Sequence, residues 1–398
     1  MTVSNSYPHV IRLLGPWEYQ WMPRRAEGPS VGTGPQSGQP VAQPPQQGAR
    51  AAVARLQLTS SAWTWESLIE PQAAGQLRLA RAFHVPTGLD SDERVWLVVD
   101  GADPSAEVLL NGQRLGATPG YALSAPWDIT DRLSPRNRVE LHFQLPPDST
   151  STLRPGRNGL PGGLLAPVRL EIRCRQFLSH LAVFPEGQNR RPRLIVRGRV
   201  GGCASSVPLH VRVVAERREL AFHRLAGAAD FCLALDASLL DAAWAPGRGG
   251  TALQVHVDLL GGGQVVWSES RTTALRSLCW ENHGPLRVAG QAVAVATASP
   301  CSAQGASMAL AQATAASAAA LSFVPTDDWL AQADQCGAPL AIYVPSAWAH
   351  EVCPRLAHHP SIVAWWSDVP PAAMPGGNVP EGYYGRPWID RPPAGNAA

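Results

Sequence analysis

Four residues in the last fifth of this 398-residue chain are of types that bind metals or move protons: His350 and Glu351, then His358 and His359. Zinc hydrolases use H-E-x-x-H, with two histidines on one helix face and a glutamate to activate water. The spacing here differs, and the four read as surface-loop residues that hold no metal. Asp327 and Asp328 stand together at the head of a helical stretch, where carboxylates suit the positive end of the helix dipole. No G-x-S-x-G nucleophile elbow is present. All 33 basic residues are arginine, which excludes a lysine Schiff base or a P-loop phosphate grip. The seven cysteines, at 174, 203, 232, 279, 301, 336 and 353, form no C-x-x-C pair. They read as buried free thiols rather than a disulfide framework or a zinc site. Gly32, Gly34 and Gly38 lack the flanking strand and helix of a phosphate loop. No cofactor is expected.

The elements that carry these residues follow from composition and period. With 45% apolar residues the chain builds real cores, and its net charge of +2 gives no pull toward nucleic acid or an anionic membrane. No apolar stretch approaches the ~20 residues of a membrane helix. Met1 to Arg12 lacks a basic region followed by an apolar run, so the expected location is the cytoplasm. Val10 to Trp21 reads as a strand anchored by Trp17, Tyr19 and Trp21. A Gly-, Pro- and Gln-rich insertion over 25–55 is expected to be disordered. Beyond it, Leu77–Phe83 and Arg94–Val99 alternate in strand fashion. Asn111-Gly112 between apolar runs predicts a tight hairpin. Further strands at Val139–Leu145 and Val168–Cys174 complete a jelly-roll β-sandwich over 1–175.

The block 176–276 carries candidate strands at Leu194–Val200, Leu209–Ala215, Phe231–Leu235, Leu253–Leu259 and Gln264–Ser268, the pattern of an immunoglobulin-like β-sandwich. After Cys279 the period changes. Val293–Thr297, an Ala-rich helix over Ala306–Ala318, the apolar run Ala319–Val324, a helix after Thr326 that stops at Gly337, Leu340–Val344 and Ile362–Trp366 alternate as in a parallel α/β barrel. A full barrel takes about 250 residues, which predicts a partial one over 277–370, followed by a Pro- and Gly-rich tail over 371–398 with no further periodic segment. The fold class is therefore mostly β and multidomain, with a half TIM-type barrel at the end.

Several segments, in order, resemble glycoside hydrolase family 2, the family of β-galactosidases, β-mannosidases and β-glucuronidases. They are Ile11-Arg-Leu-Leu-Gly-Pro-Trp17, Arg94 to Gly101, Ala106-Glu-Val-Leu-Leu-Asn-Gly112, Trp127-Asp-Ile-Thr-Asp131 and Gly162-Gly-Leu-Leu-Ala-Pro-Val168. His359-Pro-Ser-Ile-Val-Ala-Trp365 resembles the fourth barrel strand. The resemblance implies a sugar-binding jelly roll, an immunoglobulin-like domain and a catalytic barrel.

Active members end the fourth strand in Asn-Glu, the glutamate serving as acid/base. Counted from Trp365, those positions hold Val369 and Pro370. The nucleophile of the family lies on a later strand, which the resemblance implies is missing. Retaining hydrolysis needs two carboxyl groups ~5–5.5 Å apart. Asp368, Asp327 and Asp328 are the substitute carboxylates on offer, read respectively as a solvated strand end and as helix-cap charge. The family's substrate-facing loop matches Arg154 to Pro161, where Arg154, Arg157 and Asn158 could bond sugar hydroxyls. Trp63 and Trp65 share one face of a strand and could stack on a sugar ring. The expectation is a catalytically inactive family 2-like protein with a carbohydrate-binding or scaffold role. Its alternatives are a glycosidase completed by a partner chain or by substitute carboxylates, and a protein-interaction module whose partner covers the open half barrel.

Overall fold

The computed structural model describes residues 7–24, 53–56, 63–65, 68–69, 74–120, 123–146, 162–186, 192–202, 208–225, 230–240, 242–280, 286–297, 317–321, 324–325, 327–367, 384 and 386–389. The first layer pair is a two-sheet sandwich. One sheet orders His9–Arg12, Arg169–Cys174, Glu93–Asp100 and Ser124–Asp128. The other orders Val53–Leu56, Trp17–Pro23, Gly75–His84, Arg136–Leu145, Ala106–Leu110 and Gln113–Ala117. Sequence alternation sets the faces. Along Arg136–Leu145 the residues Asn137, Val139, Leu141, Phe143 and Leu145 are buried and their neighbours are not, as a period of two requires. They meet Leu77, Leu97, Leu170 and Trp17 in one core. Asn111 and Gly112 have φ of 53° and 79°, the double positive of a type I′ hairpin.

Two expectations for this region change. Val10 to Trp21 is not one strand: His9–Arg12 and Trp17–Pro23 lie in opposite sheets, because the chain crosses the sandwich at Leu13–Pro16. The insertion expected over 25–55 also ends too late. Val53–Leu56 is a strand that pairs with Trp17–Gln20, while 25–52 lies outside the described residues.

The second sandwich has a three-stranded sheet, Gln176–Glu186, Arg193–Gly202 and Asp230–Asp236, facing Arg218–Leu225, Leu209–Ala215, Leu253–Gly261 and Gln264–Thr273. Its core gathers Val183, Leu194, Val196, Val211, Val213, Val255 and Val257.

The third unit is a seven-stranded sheet. A short hairpin, Leu278–Cys279 with Leu286–Val288, leads into β1 (Gln291–Thr297). Then β1, β2 (Ser317–Leu321), β3 (Leu340–Tyr343), β4 (Ile362–Trp366) and β5 (Trp388–Ile389) run parallel. Helices α1 (Asp327–Cys336) and α2 (Ala349–Leu356) pack on one face through Leu330, Ala333, Val352 and Leu356 against Leu321, Leu340, Ile342 and Trp365. Every residue of β3 and β4 is buried, which matches their unbroken apolar sequences. Strand β5 lies within the Pro- and Gly-rich stretch 371–398, where Trp388 and Ile389 register with Trp365 and Trp366. Most of the Ala-rich helix expected at Ala306–Ala318 lies outside the described residues, and Ser317 and Ala318 belong to β2. Among the described residues no helix is long and apolar enough to cross a membrane.

Candidate functional site

Chemistry on a parallel α/β unit concentrates at the C-terminal ends of its strands. Strand β4 ends at Trp366; Asp368, Val369 and Pro370 lie just beyond it, outside the described residues. So do Arg154, Arg157 and Asn158. The sheet face away from the helices is apolar: Ala320, Ala341, Tyr343, Ala364 and Trp366 form one cluster. Trp366 Nε1 donates to Leu321 O at 3.0 Å, and its ring meets Tyr343 at 4.8 Å. Strands β2, β3 and β4 contain no carboxylate. Asp327 and Asp328 are exposed in the first turn of α1, the placement expected of helix-cap charge.

Trp65 belongs to the core and not to a sugar-stacking face. It is 0% exposed, its Nε1 donates to Asp103 O at 2.6 Å, and Phe143 meets it edge-on at 4.7 Å. Burial of so large an apolar ring outweighs any advantage of displaying it. Trp63 lies on the adjoining two-residue strand, paired with Leu164.

The motifs that carried the resemblance turn out to hold the scaffold. Arg94 binds Asp128 at 2.9 Å and Asp131 at 2.7 Å. Thr130 Oγ1 donates to Asp128 Oδ1 at 2.7 Å and accepts the Val95 N–H at 2.8 Å. Asn111 Oδ1 accepts the Arg138 N–H at 2.8 Å.

A buried polar network lies at the other end of the sheet, below the start of β4. His359 is not a surface-loop residue: it is 4% exposed, and its Nδ1 lies 2.7 Å from Asp334 Oδ2. Asp334 Oδ1 accepts the Ser361 N–H at 2.9 Å, and its carbonyl accepts Trp244 Nε1 at 2.9 Å. Arg276, from the end of the second sandwich, donates Nη2 to Ile362 O at 2.7 Å. Arg386 reaches the same carbonyl with Nε at 2.7 Å. Burial pushes Arg276 down to about 9, against the pull of Asp334. Burial, then the charge of Arg276, holds Arg386 well below its ordinary value. His358 is held well below the usual histidine range by burial, then by His359 and Arg271. Arginine tolerates such sites because its planar fork satisfies several carbonyls at once. This network orients and supports; it holds no pair of carboxyls for hydrolysis. Its only sequence signals were the His359-Pro-Ser-Ile run and the lone Arg386.

Among the described residues no three His, Cys, Asp or Glu side chains gather as metal ligands. Cys174 and Cys353 are buried free thiols, whereas Cys232 and Cys336 are exposed, against the expectation of uniform burial.

Residues 62–176 match the family described as glycosyl hydrolase 2 galactose-binding domain-like. No curated protein sequence matches the chain. Solved structures share its fold across all three units. A Bacteroides uniformis β-glucuronidase is 15% identical with a TM-score of 0.62, over 91% of this chain and 47% of that one. A Bifidobacterium dentium β-glucuronidase complexed with coumarin-3-O-glucuronide is 17% identical with a TM-score of 0.60, over 91% and 68%. A β-D-mannosidase from Dictyoglomus thermophilum is 13% identical with a TM-score of 0.65, over 90% and 52%. The chain thus spans about half the length of the Bacteroides and Dictyoglomus proteins.

Proposed function

We propose that this chain, which resembles glycoside hydrolase family 2 in its galactose-binding-like domain and its three-part fold, binds carbohydrate without hydrolysing it. One observation carries the reading. Strand β4 coincides with the segment that resembles the family's fourth barrel strand, which supports counting from Trp365. That count puts Val369 and Pro370 where active members have Asn-Glu. Neither side chain has a proton to give a glycosidic oxygen. The third unit is read as a half α/β barrel that serves as scaffold.

The edge of the sheet supports a second reading. Among the described residues β5 is paired on one side only, and an unpaired parallel edge invites another strand. A partner chain that continued the sheet could supply both carboxylates and restore a glycosidase.

An aryl β-glycoside panel of galactoside, glucuronide and mannoside tests the non-catalytic reading. The isolated chain is expected to give no turnover. Turnover by the wild type that vanishes in Asp368→Ala would overturn the non-catalytic reading and make Asp368 the acid.

A further inference from the structure

A groove runs along the junction of the three units. It has two compartments of ≈ 630 and ≈ 690 Å³, which share Ser124, Arg271 and Arg355. Each lies in the ~300–1,000 Å³ range of small-molecule sites, and such sites favour domain interfaces.

The first compartment carries three buried polar atoms without a hydrogen-bond partner among the described residues: Asp100 Oδ1, Thr273 Oγ1 and His359 Nε2. Thr273 is 2% exposed. The second has an aromatic floor: Trp96, Phe177 and Trp267 follow one another with ring centroids 5.4 and 5.7 Å apart, Phe177 and Trp267 belong to the core of the second sandwich, and the Arg173 guanidinium lies over Trp96 and Phe177 at 4.6 and 4.9 Å. The indole N–H groups of Trp96 and Trp267 are likewise buried and unpartnered. Native proteins leave few such groups unsatisfied. Five around one groove point to something that enters and pairs with them.

Their chemistry specifies what enters. Indole nitrogen only donates; the Asp100 carboxylate only accepts. With the His359 Nδ1 proton on Asp334, Nε2 also accepts, and the Thr273 hydroxyl does either. The ligand must therefore offer closely spaced groups that both donate and accept. Hydroxyls on a pyranose ring meet this demand. The charged side chains disfavour an anion as the preferred guest: Arg169 pairs with Asp100, Arg173 with Glu171 and Arg271 with Glu269, and the remaining lining arginine, Arg355, is outnumbered by the lining carboxylates Asp327, Asp328 and Glu351.

We propose that this junction groove, rather than the rim at the C-terminal ends of the strands, binds a short neutral oligosaccharide. One sugar meets Asp100, Thr273 and His359, and another presents hydroxyls to the indole N–H groups of Trp96 and Trp267. The proposal rests on the carbohydrate-binding reading above and adds the site and the ligand class to it.

The test is calorimetric titration of the full chain with lactose, mannobiose and cellobiose, and with a glucuronic-acid-terminated disaccharide, at up to ~10 mM. At least one neutral disaccharide is expected to bind, more tightly than the acidic one. Thr273→Val removes one hydrogen-bonding group and keeps the shape, and Trp267→Phe removes the indole N–H together with part of the ring, so each should weaken binding by at least about fivefold. Ala252→Trp, at an exposed position on the first compartment, should abolish it with no change in melting temperature. If Trp267→Phe fails to fold, Thr273→Val and Ala252→Trp decide. Binding that survives Ala252→Trp unchanged would place the sugar elsewhere and overturn the groove while leaving the carbohydrate-binding reading intact. Equal or tighter binding of the acidic disaccharide would overturn the ligand class. No binding of any of the four would overturn both readings.

Discussion

Replacing Arg386 by methionine probes whether the polar network below β4 holds the third unit together. Arg386 is 0% exposed and makes four hydrogen bonds. Nε donates to Ile362 O at 2.7 Å, Nη1 to Tyr384 O at 2.7 Å, and Nη2 to Ala357 O at 2.7 Å and His359 O at 2.8 Å. Its guanidinium also lies 5.5 Å from the Trp365 ring centre. Methionine fills similar space and donates nothing. The four carbonyls do not suffer equally. Ile362 O keeps Arg276 Nη2 at 2.7 Å, and His359 O keeps the Ile362 N–H at 3.3 Å. The carbonyl of Ala357, buried, loses the donor that Arg386 gives it, while Tyr384 is half-buried. A stripped buried acceptor costs ~1–3 kcal/mol. Removing a buried cation that faces Arg276 returns part of this, which leaves a net loss of ~1–2 kcal/mol. Arg386→Lys keeps a charge without the fork and should fall between. Hydrogen exchange read by mass spectrometry is the suitable assay, because three units need not unfold as one. Peptides over Ile362–Trp366 should lose protection while those over Arg136–Leu145 keep theirs. Unchanged protection of β4 in Arg386→Met would refute the reasoning.

Two further substitutions read the junction. His358 is neutral in the folded chain, and its unfolded form takes up a proton below about pH 6.5. Stability should therefore fall as the pH drops below 6.5, by at most ~1.4 kcal/mol per pH unit for one proton; His358→Gln should flatten that slope, and identical melting profiles from pH 7 to 5 would count against the assignment. Gly337 ends α1 with φ of +69°, and a Cβ there would meet the Gly249 nitrogen at 2.2 Å. Gly337→Ala should thus cost clearly more than the ~1–2 kcal/mol of a left-handed non-glycine residue, whereas Gly88→Ala, with φ of +74° and open space around it, should cost no more than that; equal melting shifts in the two variants would contradict the close approach.

How far the fold was legible depended on how local its causes are. Strand alternation is a nearest-neighbour property, so Leu209–Ala215 and Ile362–Trp366 were read with the bounds the structure gives them. The Asn111-Gly112 turn and the Gly337 stop need only the residue's own φ. The misreadings came from what a one-dimensional pattern cannot carry. Val10 to Trp21 carries a local break at Gly15-Pro16, but nothing in its pattern says that the chain crosses there from one sheet to the other. Val53–Leu56 follows a polar insertion and gains its order from Trp17–Gln20. Strand β5 is two residues long, too short for any period, and exists because β4 offers it an edge and Arg386 anchors the approach.

The site was less legible for a related reason. Sequence motifs record residues whose partners recur in a fixed place, and here those partners are structural. Arg94, Asp128, Asp131 and Asn111 carry the family resemblance because they tie strands and turns together. They report the scaffold and are silent about chemistry. The unsatisfied groups of the junction groove come instead from three separate units: Asp100 from the first sandwich, Thr273 from the second and His359 from the α/β unit. No spacing relates them. Each was invisible or misread alone, as His359 was when placed on a surface loop. They become a site only when Trp244 reaches the Asp334 carbonyl and Arg276 reaches Ile362 O, locking the second sandwich onto the third unit. It follows that a relative could keep every motif quoted above and lose the groove by one substitution at Thr273, or lose Val369 and Pro370 and keep it. On the readings proposed above, hydrolysis and junction binding would be separable, because Val369 and Pro370 follow the C-terminal end of β4 whereas the groove residue His359 precedes its start.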